Sequence, residues 1–149
     1  MKFIILFNFY ILATFLCSQE FNFKSMGTLI RNEVTMFPDG GKFISFRHEG
    51  GFETDIGKYG KYQCHGSILY NNESTLENMY FACNNIDQNG DSYISMGKRK
   101  KGSEIDRAVG QTEILDGTGF WKDFVNTTCT YAIEYIDNIV FAPGKCKKP

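Results

Sequence analysis

The stretch DQNGDSY, which begins at Asp87, carries oxygen-bearing side chains at the spacing of a calcium-binding loop. Asp87, Asn89 and Asp91 would fill the first, third and fifth positions of such a loop. However, Ser92 stands where a calcium loop has its glycine, and Lys98 stands where it has a bidentate glutamate. A cation in place of that glutamate opposes calcium binding, so we expect no metal here.

The same stretch is better explained as a β-hairpin. It is flanked on both sides by β-like sequence, and its Asn-Gly pair is a strong signal for a two-residue turn. A two-residue turn at this pair would place Ile86 opposite Tyr93 and Cys83 opposite Met96.

The two histidines, His48 and His65, do not form a metal-type cluster in the sequence. We expect them to be partly exposed strand residues, with convergence inside a barrel as the alternative. The chain has no nucleophile elbow, phosphate-binding loop or dinucleotide fingerprint. The sequence therefore predicts no cofactor and leaves the catalytic residues, if any, unknown.

The only run of like charge is Lys98-Arg99-Lys100-Lys101. We expect a solvated hairpin end that discourages strand association, with contact to an anionic surface as the alternative. The whole chain is nearly neutral, with 16 basic and 17 acidic residues and a net charge of −1. This balance argues against nucleic acid as a partner.

The first 18 residues resemble a secretory signal peptide. Lys2 is followed by an apolar run from Phe3 to Leu16, and Ser18 is a small residue suited to the cleavage site. We therefore expect a secreted or periplasmic protein with one domain, residues 19–149, and no transmembrane segment after cleavage. If the host is eukaryotic, the sequons at Asn72 and Asn126 predict glycosylation.

Four cysteines follow the predicted signal peptide, and an even number in an exported chain predicts disulfides. Folding the chain about the NES turn at residues 72–74 places Cys64 opposite Cys83. Folding it about the Asp-Asn pair at residues 137–138 places Cys129 opposite Cys146. Facing residues of antiparallel strands are close enough for a disulfide, so we predict these two pairings.

The rest of the chain consists of β-like runs separated by Gly, Asn and Asp turns. No stretch has a helical period over more than two turns. The sequence therefore predicts an all-β fold, a single antiparallel β-barrel of about eight strands with a lipocalin-like shape, or alternatively a sandwich. Predicted strands include KSMGTLIRNEVTMF, GKFISFRHEG, AVGQTEIL and one beginning at FWKDF.

Several turn motifs occur in an order that resembles a family of small exported bacterial proteins. The order is a strand with Cys64 and Gly66, then Cys83, the DQNGD turn, and later DGTGF at residues 116–120. That family has an allene oxide cyclase/dirigent-like β-barrel, and the likeness covers roughly residues 60–140. WKDFVNTTC replaces the family's further glycines. The resemblance implies a barrel of about eight strands and places no catalytic residue.

The abundant aromatic residues predict either a filled core or a cavity for one small apolar or amphipathic ligand. We favour non-catalytic ligand binding. The alternatives are a cyclase- or dirigent-like enzyme that steers a reactive intermediate, and a surface interaction module with a filled core. A cavity of several hundred cubic ångströms would separate the first two from the third. The candidate ligand-binding residues are Phe46, Arg47, His65, Ile68, Tyr70, Phe81, Tyr93 and Trp121.

Overall fold

The protein is a single closed antiparallel β-barrel of eight strands. The computed structural model describes residues 20–99 and 107–149. Each strand is hydrogen-bonded to the next along the chain, and the last strand pairs with the first. This confirms the predicted barrel and excludes the sandwich. The strands are β1 Glu20–Met36, β2 Lys42–Thr54, β3 Tyr59–Tyr70, β4 Leu76–Asp87, β5 Ser92–Arg99, β6 Arg107–Gly117, β7 Thr128–Ile136 and β8 Ile139–Lys147.

Within the described ranges, none of the helical structure is long and apolar enough to cross a bilayer. The predicted signal peptide, residues 1–18, lies outside the described residues.

Two hairpins have the register that the cysteine positions predicted. Cys64 faces Cys83 across β3 and β4, and Cys129 faces Cys146 across β7 and β8. Both disulfides are present, and all four cysteines are buried inside the barrel. Because two strands separate the hairpins on either side, the disulfides lie on opposite walls.

The hairpin at DQNGD exists, but its predicted register is wrong by one residue. Cys83 faces Ser95 instead of Met96, and Ile86 faces Ser92 instead of Tyr93. The turn has three residues rather than two, because the Asp87 carboxylate accepts hydrogen bonds from the backbone N–H groups of Asn89 and Asp91. Gly90, with φ of 86°, then closes the loop in a left-handed conformation. A one-residue change of register exchanges the two faces of a strand.

The expected strand at FWKDF is also wrong. Residues Gly119–Phe124 form a short 3-10 helix that lies across one end of the barrel. The turn into it requires Gly119, whose φ is 49°, and the Trp121 N–H donates to the Thr118 carbonyl at 2.9 Å. Trp121 and Phe124 are buried as a result, with Trp121 completely inaccessible. We call this end, where β1 begins and β8 ends, the helix end.

Large rings and glycines alternate inside the barrel. Four inward aromatic side chains each face a glycine directly across a strand pair, and a methyl group on each glycine would lie 2.3–2.4 Å from its ring. Small barrels fill their interior by such alternation of small and large residues. The pairs are Phe23–Gly144, Phe46–Gly66, Phe81–Gly97 and Tyr131–Gly110.

We predict that Gly66→Ala lowers the free energy of unfolding by about 1–3 kcal/mol, the usual cost of overpacking. Its new methyl group would lie 2.4 Å from the Phe46 ring and 2.6 Å from the Tyr80 carbonyl oxygen, and a backbone atom cannot move away cheaply. The measurement is urea unfolding. Gly51→Ala is the control, because its nearest neighbour would be 3.4 Å away. Equal effects at both positions would contradict this account of the packing.

Candidate functional site

The barrel encloses a cavity of about 100 Å³ between the two disulfides. Its lining is mostly aromatic and aliphatic, since the inward face of every strand contributes to it. The polar groups that reach it are a histidine, an amide, tyrosine phenols and small hydroxyls. The main lining side chains are Phe23, Phe46, Met79, Phe81, Ile114, Ile133, Val140, His48, Asn85, Tyr62, Tyr93 and Tyr131.

Three of the predicted ligand-binding residues line this cavity, namely Phe46, Phe81 and Tyr93. Three others are buried elsewhere in the core. Ile68 and Tyr70 lie in a separate apolar cluster with Leu76, toward the end of the barrel opposite the helix end. Trp121 lies beneath the cavity, with its ring centroid 4.3 Å from that of Tyr93.

Arg47 and His65 lie on the outer face of the barrel and do not line the cavity. Arg47 lies between two inward residues, and its guanidinium donates to the Glu49 carboxylate at 2.7 Å. The exposed His65 ring is 3.2 Å from the Gln63 side-chain oxygen. Both face solvent because successive side chains on a strand point to opposite faces.

The burial of His48, which is 5% exposed, corrects our expectation of a partly exposed strand residue. His48 is the main polar lining residue that the sequence analysis did not select as a ligand-binding candidate. Its side chain is buried on the face that Phe46 shares, which the alternation of GKFISFRHEG already indicated. Burial, and to a smaller extent the nearby positive charge of Arg99, lowers the pKa of His48 to about 4. The imidazole is therefore neutral at physiological pH.

A small polar cluster of His48, Tyr135 and Arg99 lies beside the cavity. The Tyr135 hydroxyl is 3.4 Å from His48 Nε2 and accepts a hydrogen bond from Arg99 Nη2 at 3.1 Å. Burial raises the pKa of Tyr135, so its hydroxyl stays protonated. The cluster combines a neutral imidazole, a phenol and a fixed positive charge.

The burial of Arg99 corrects our expectation of a fully solvated basic run. Arg99 is only 5% exposed, whereas its neighbour Lys98 is exposed. Alternation along β5 explains the difference, because Ser95 and Gly97 on the same face also point inward. Lys100 and Lys101 lie outside the described residues.

Asn85 on β4 holds a second set of polar groups inside the barrel. Its side-chain amide donates to the Cys83 and Tyr93 carbonyls at 3.3 Å each and to the Ser95 hydroxyl at 3.4 Å. Alternation along β4 places Asn85 on the inward face of Cys83. The incorrect register of the DQNGD hairpin concealed only its partners on β5, Tyr93 and Ser95. The observed register brings Asn85 and Tyr93 face to face inside the barrel.

The lining is electrically neutral in the described part of the chain. Burial raises the pKa of Tyr62 to about 12, and it also raises the pKa values of Tyr93 and Tyr131. These phenols therefore act as hydrogen-bond donors at physiological pH. No described lining residue is an Asp, Glu, Lys or Arg, so the cavity suits an uncharged molecule.

The helix end depends on the carboxylate of Asp87, whose side chain is fully buried. It accepts hydrogen bonds from Lys58 Nζ at 2.9 Å and from Trp121 Nε1 at 3.2 Å, besides two backbone N–H groups of its own loop. Burial alone would raise the pKa of Asp87, but the Lys58 ammonium and the backbone N–H groups keep it below its usual value. Asp87 thus fixes Trp121 in place, so the candidate calcium loop has a structural role.

We predict that Asp87→Asn lowers the free energy of unfolding by about 3 kcal/mol, because it leaves the largely buried Lys58 ammonium without its counter-charge. Chemical denaturation measures the loss, and Trp121 fluorescence reports loosening at the helix end. Asp123→Asn changes the same charge at an exposed position on the 3-10 helix and should have almost no effect. Equal losses in the two variants would contradict the role assigned to Asp87.

The low pKa of His48 predicts a pH dependence of stability. The unfolded chain binds a proton at His48 below the ordinary pKa of 6.5, whereas the folded protein does so only near 4. The free energy of unfolding should therefore fall as the pH is lowered from 6.5 to 4, by at most about 3 kcal/mol. Urea unfolding across this range should show a smaller slope for His48→Gln.

His65→Gln is the control, because it removes the exposed histidine and should leave the slope unchanged. A slope in the His48 variant equal to that of the original protein, or a reduced slope in the His65 variant, would contradict the assignment.

Comparison with known proteins gives no family assignment. No family model, curated protein or solved structure matches this chain. The function is therefore argued from the geometry of the barrel.

Proposed function

We propose that this protein is a secreted or periplasmic β-barrel that binds a small, uncharged and mainly apolar molecule in its interior without chemical change. The observation that carries the proposal is the cavity of about 100 Å³, with its apolar wall and a few convergent polar groups. Mostly apolar lining with few polar groups is the usual composition of small-molecule sites.

The size of the cavity limits the ligand. Sites for drug-sized molecules have volumes of about 300–1,000 Å³, so this cavity is smaller than our sequence-based criterion for ligand binding. It is closer to an engineered apolar cavity of about 150 Å³ that binds benzene or xenon. A single ring or a short branched chain fits such a volume.

The polar groups limit the chemistry of the ligand. The neutral imidazole of His48 and the protonated phenol of Tyr62 offer hydrogen bonds to a carbonyl, hydroxyl or ether oxygen. The Tyr131 hydroxyl already donates to the Lys98 carbonyl at 3.5 Å. A carboxylate would be buried without a counter-charge among the described lining residues, which is costly. A neutral aromatic alcohol, aldehyde or ketone matches these groups best.

The polar cluster of His48, Tyr135 and Arg99 favours the enzymatic alternative. His48, Tyr135 and Arg99 form an ionisable group of residues next to an apolar cavity, as an enzyme that steers a reactive intermediate would need. This is the activity class that the allene oxide cyclase/dirigent-like resemblance implies. If the protein converts a neutral ligand chemically and His48→Gln abolishes this turnover, the enzymatic alternative would be favoured over simple binding.

The two disulfides support export, because such bonds persist in oxidising compartments. Both sequon asparagines are exposed in turns, with Asn126 just after the 3-10 helix and Asn72 between β3 and β4. Glycosylation in a eukaryotic host therefore remains a prediction.

Binding can be tested by native mass spectrometry and by thermal shift with benzyl alcohol as the probe. We expect a small adduct on protein purified from its natural host, and a rise in Tm with benzyl alcohol. Ala142→Leu should abolish both, because Ala142 lines the cavity and the larger side chain would fill it.

Ala132→Leu makes the same change on the exposed outer face and should preserve binding. Both variants should first be checked for cooperative unfolding. The proposal fails if a folded Ala142→Leu variant binds as well as the original protein, or if neither an adduct nor a Tm shift is found.

A further inference from the structure

Strand β1 extends well beyond its partner β8. The pairing of these two strands ends with Thr28 opposite Ile139, and the Leu29 N–H donates to the Asn138 carbonyl at 2.8 Å. Beyond this point β1 continues to Met36 and pairs with β2 alone. Residues 30–36, which we call the β1 edge, therefore have one side without a strand partner in residues 20–99 and 107–149.

The β1 edge exposes apolar side chains as well as backbone. Ile30 is 50% exposed, Val34 51% and Met36 62%. Natural proteins protect such edges with lysines, prolines or bulges. This segment has a bulge only at its start, beside Ile30, and neither a lysine nor a proline follows within the edge. An unpaired edge with exposed apolar side chains favours the addition of another strand.

The sequence of the β1 edge is complementary to itself in one antiparallel register. Within one copy the Arg31 guanidinium already donates to the Glu33 carboxylate. If two copies pair about a two-fold axis through Asn32, Arg31 of each copy also faces Glu33 of the other. In the same register Ile30 faces Val34. Oppositely charged and apolar pairs in direct opposition both stabilise a sheet.

Neighbouring registers lack this complementarity. An axis through Glu33 would place the two Glu33 carboxylates directly opposite each other, which is destabilising. An axis through Arg31 would place the two Arg31 guanidinium groups directly opposite each other, which is also destabilising. Of these three registers, only the one centred on Asn32 places opposite charges across from each other and apolar side chains across from each other.

We propose that a second copy of this chain binds at the β1 edge, forming a two-fold dimer in which two β1 strands pair antiparallel about Asn32. Such an interface uses the same patch on both copies, as closed dimers do. It satisfies the unpaired backbone of both edges and covers Ile30 and Val34. The inference is independent of ligand binding in the cavity.

Sedimentation velocity over a range of concentrations tests the dimer. We expect the mass of the protein to double with increasing concentration. The double variant Ile30→Lys/Val34→Lys should remain monomeric, because the lysines replace the apolar contacts across the two-fold axis. It should still fold, since both side chains are exposed in the single barrel. Arg31→Glu should raise the dimer Kd about tenfold by placing like charges together twice. The double variant Arg31→Glu/Glu33→Arg should restore the original dimer Kd.

Lys24→Glu is the matched control for charge, since it lies on β1 where the strand is already paired with β8. It should leave the Kd unchanged. The register is tested by cross-linking, because Asn32→Cys would place two thiols opposite each other on the axis. Thr130→Cys, exposed on β7, is the control and should not cross-link.

A monomer at every concentration would overturn the proposal and would leave the edge to a strand of a different protein. A dimer that is unaffected by the Ile30 and Val34 changes would also overturn it. A dimer that depends on those residues but gives no Asn32→Cys cross-link would overturn the register.

Discussion

Closure of eight antiparallel strands fixes the volume of the interior, and the rest of this structure depends on that constraint. A closed barrel of this size has just enough space for its own inward side chains. Here the space is divided between rings and glycines that face each other across strand pairs, such as Phe81 and Gly97. The cavity of about 100 Å³ is what remains when those rings are in place. Its shape therefore depends on the register of every strand.

The two ends of the barrel are stabilised by different interactions. At the helix end, Asp87 binds Lys58 and Trp121 together, and the two disulfides lie in the same apolar cluster as Trp121. Away from that end, the interior carries the polar cluster around His48. A rigid floor beneath a cavity with polar groups on its wall is an arrangement suited to orienting a small molecule.

The parts of the fold that the sequence predicted were those governed by local geometry. The Asp137-Asn138 turn sets the register of β7 and β8, so facing cysteines were predictable. The DQNGD register was not, because the Asp87 side chain lengthens the turn by one residue through contacts that an Asn-Gly pair does not indicate. FWKDF was expected to begin a strand after the DGTG turn, whereas its position across the end of the barrel depends on tertiary packing of Trp121.

The site was only partly predictable for a similar reason. Alternation assigns His48 to the inner face and Arg47 to the outer face, so the correct choice between them was available in the sequence. The burial of Arg99 was not predicted, because charge composition alone does not show which residue of a basic run points inward. The β5 partners of Asn85 depended on a register that became clear only with the structure.

The central claim is that an accessible apolar space exists inside this barrel. A crystal structure of the protein under xenon pressure tests it most directly, because xenon occupies dry apolar cavities. We predict a xenon atom between Phe46, Phe81 and Tyr131, within the cavity that these side chains line. An interior without xenon, with these rings in mutual contact, would contradict the account.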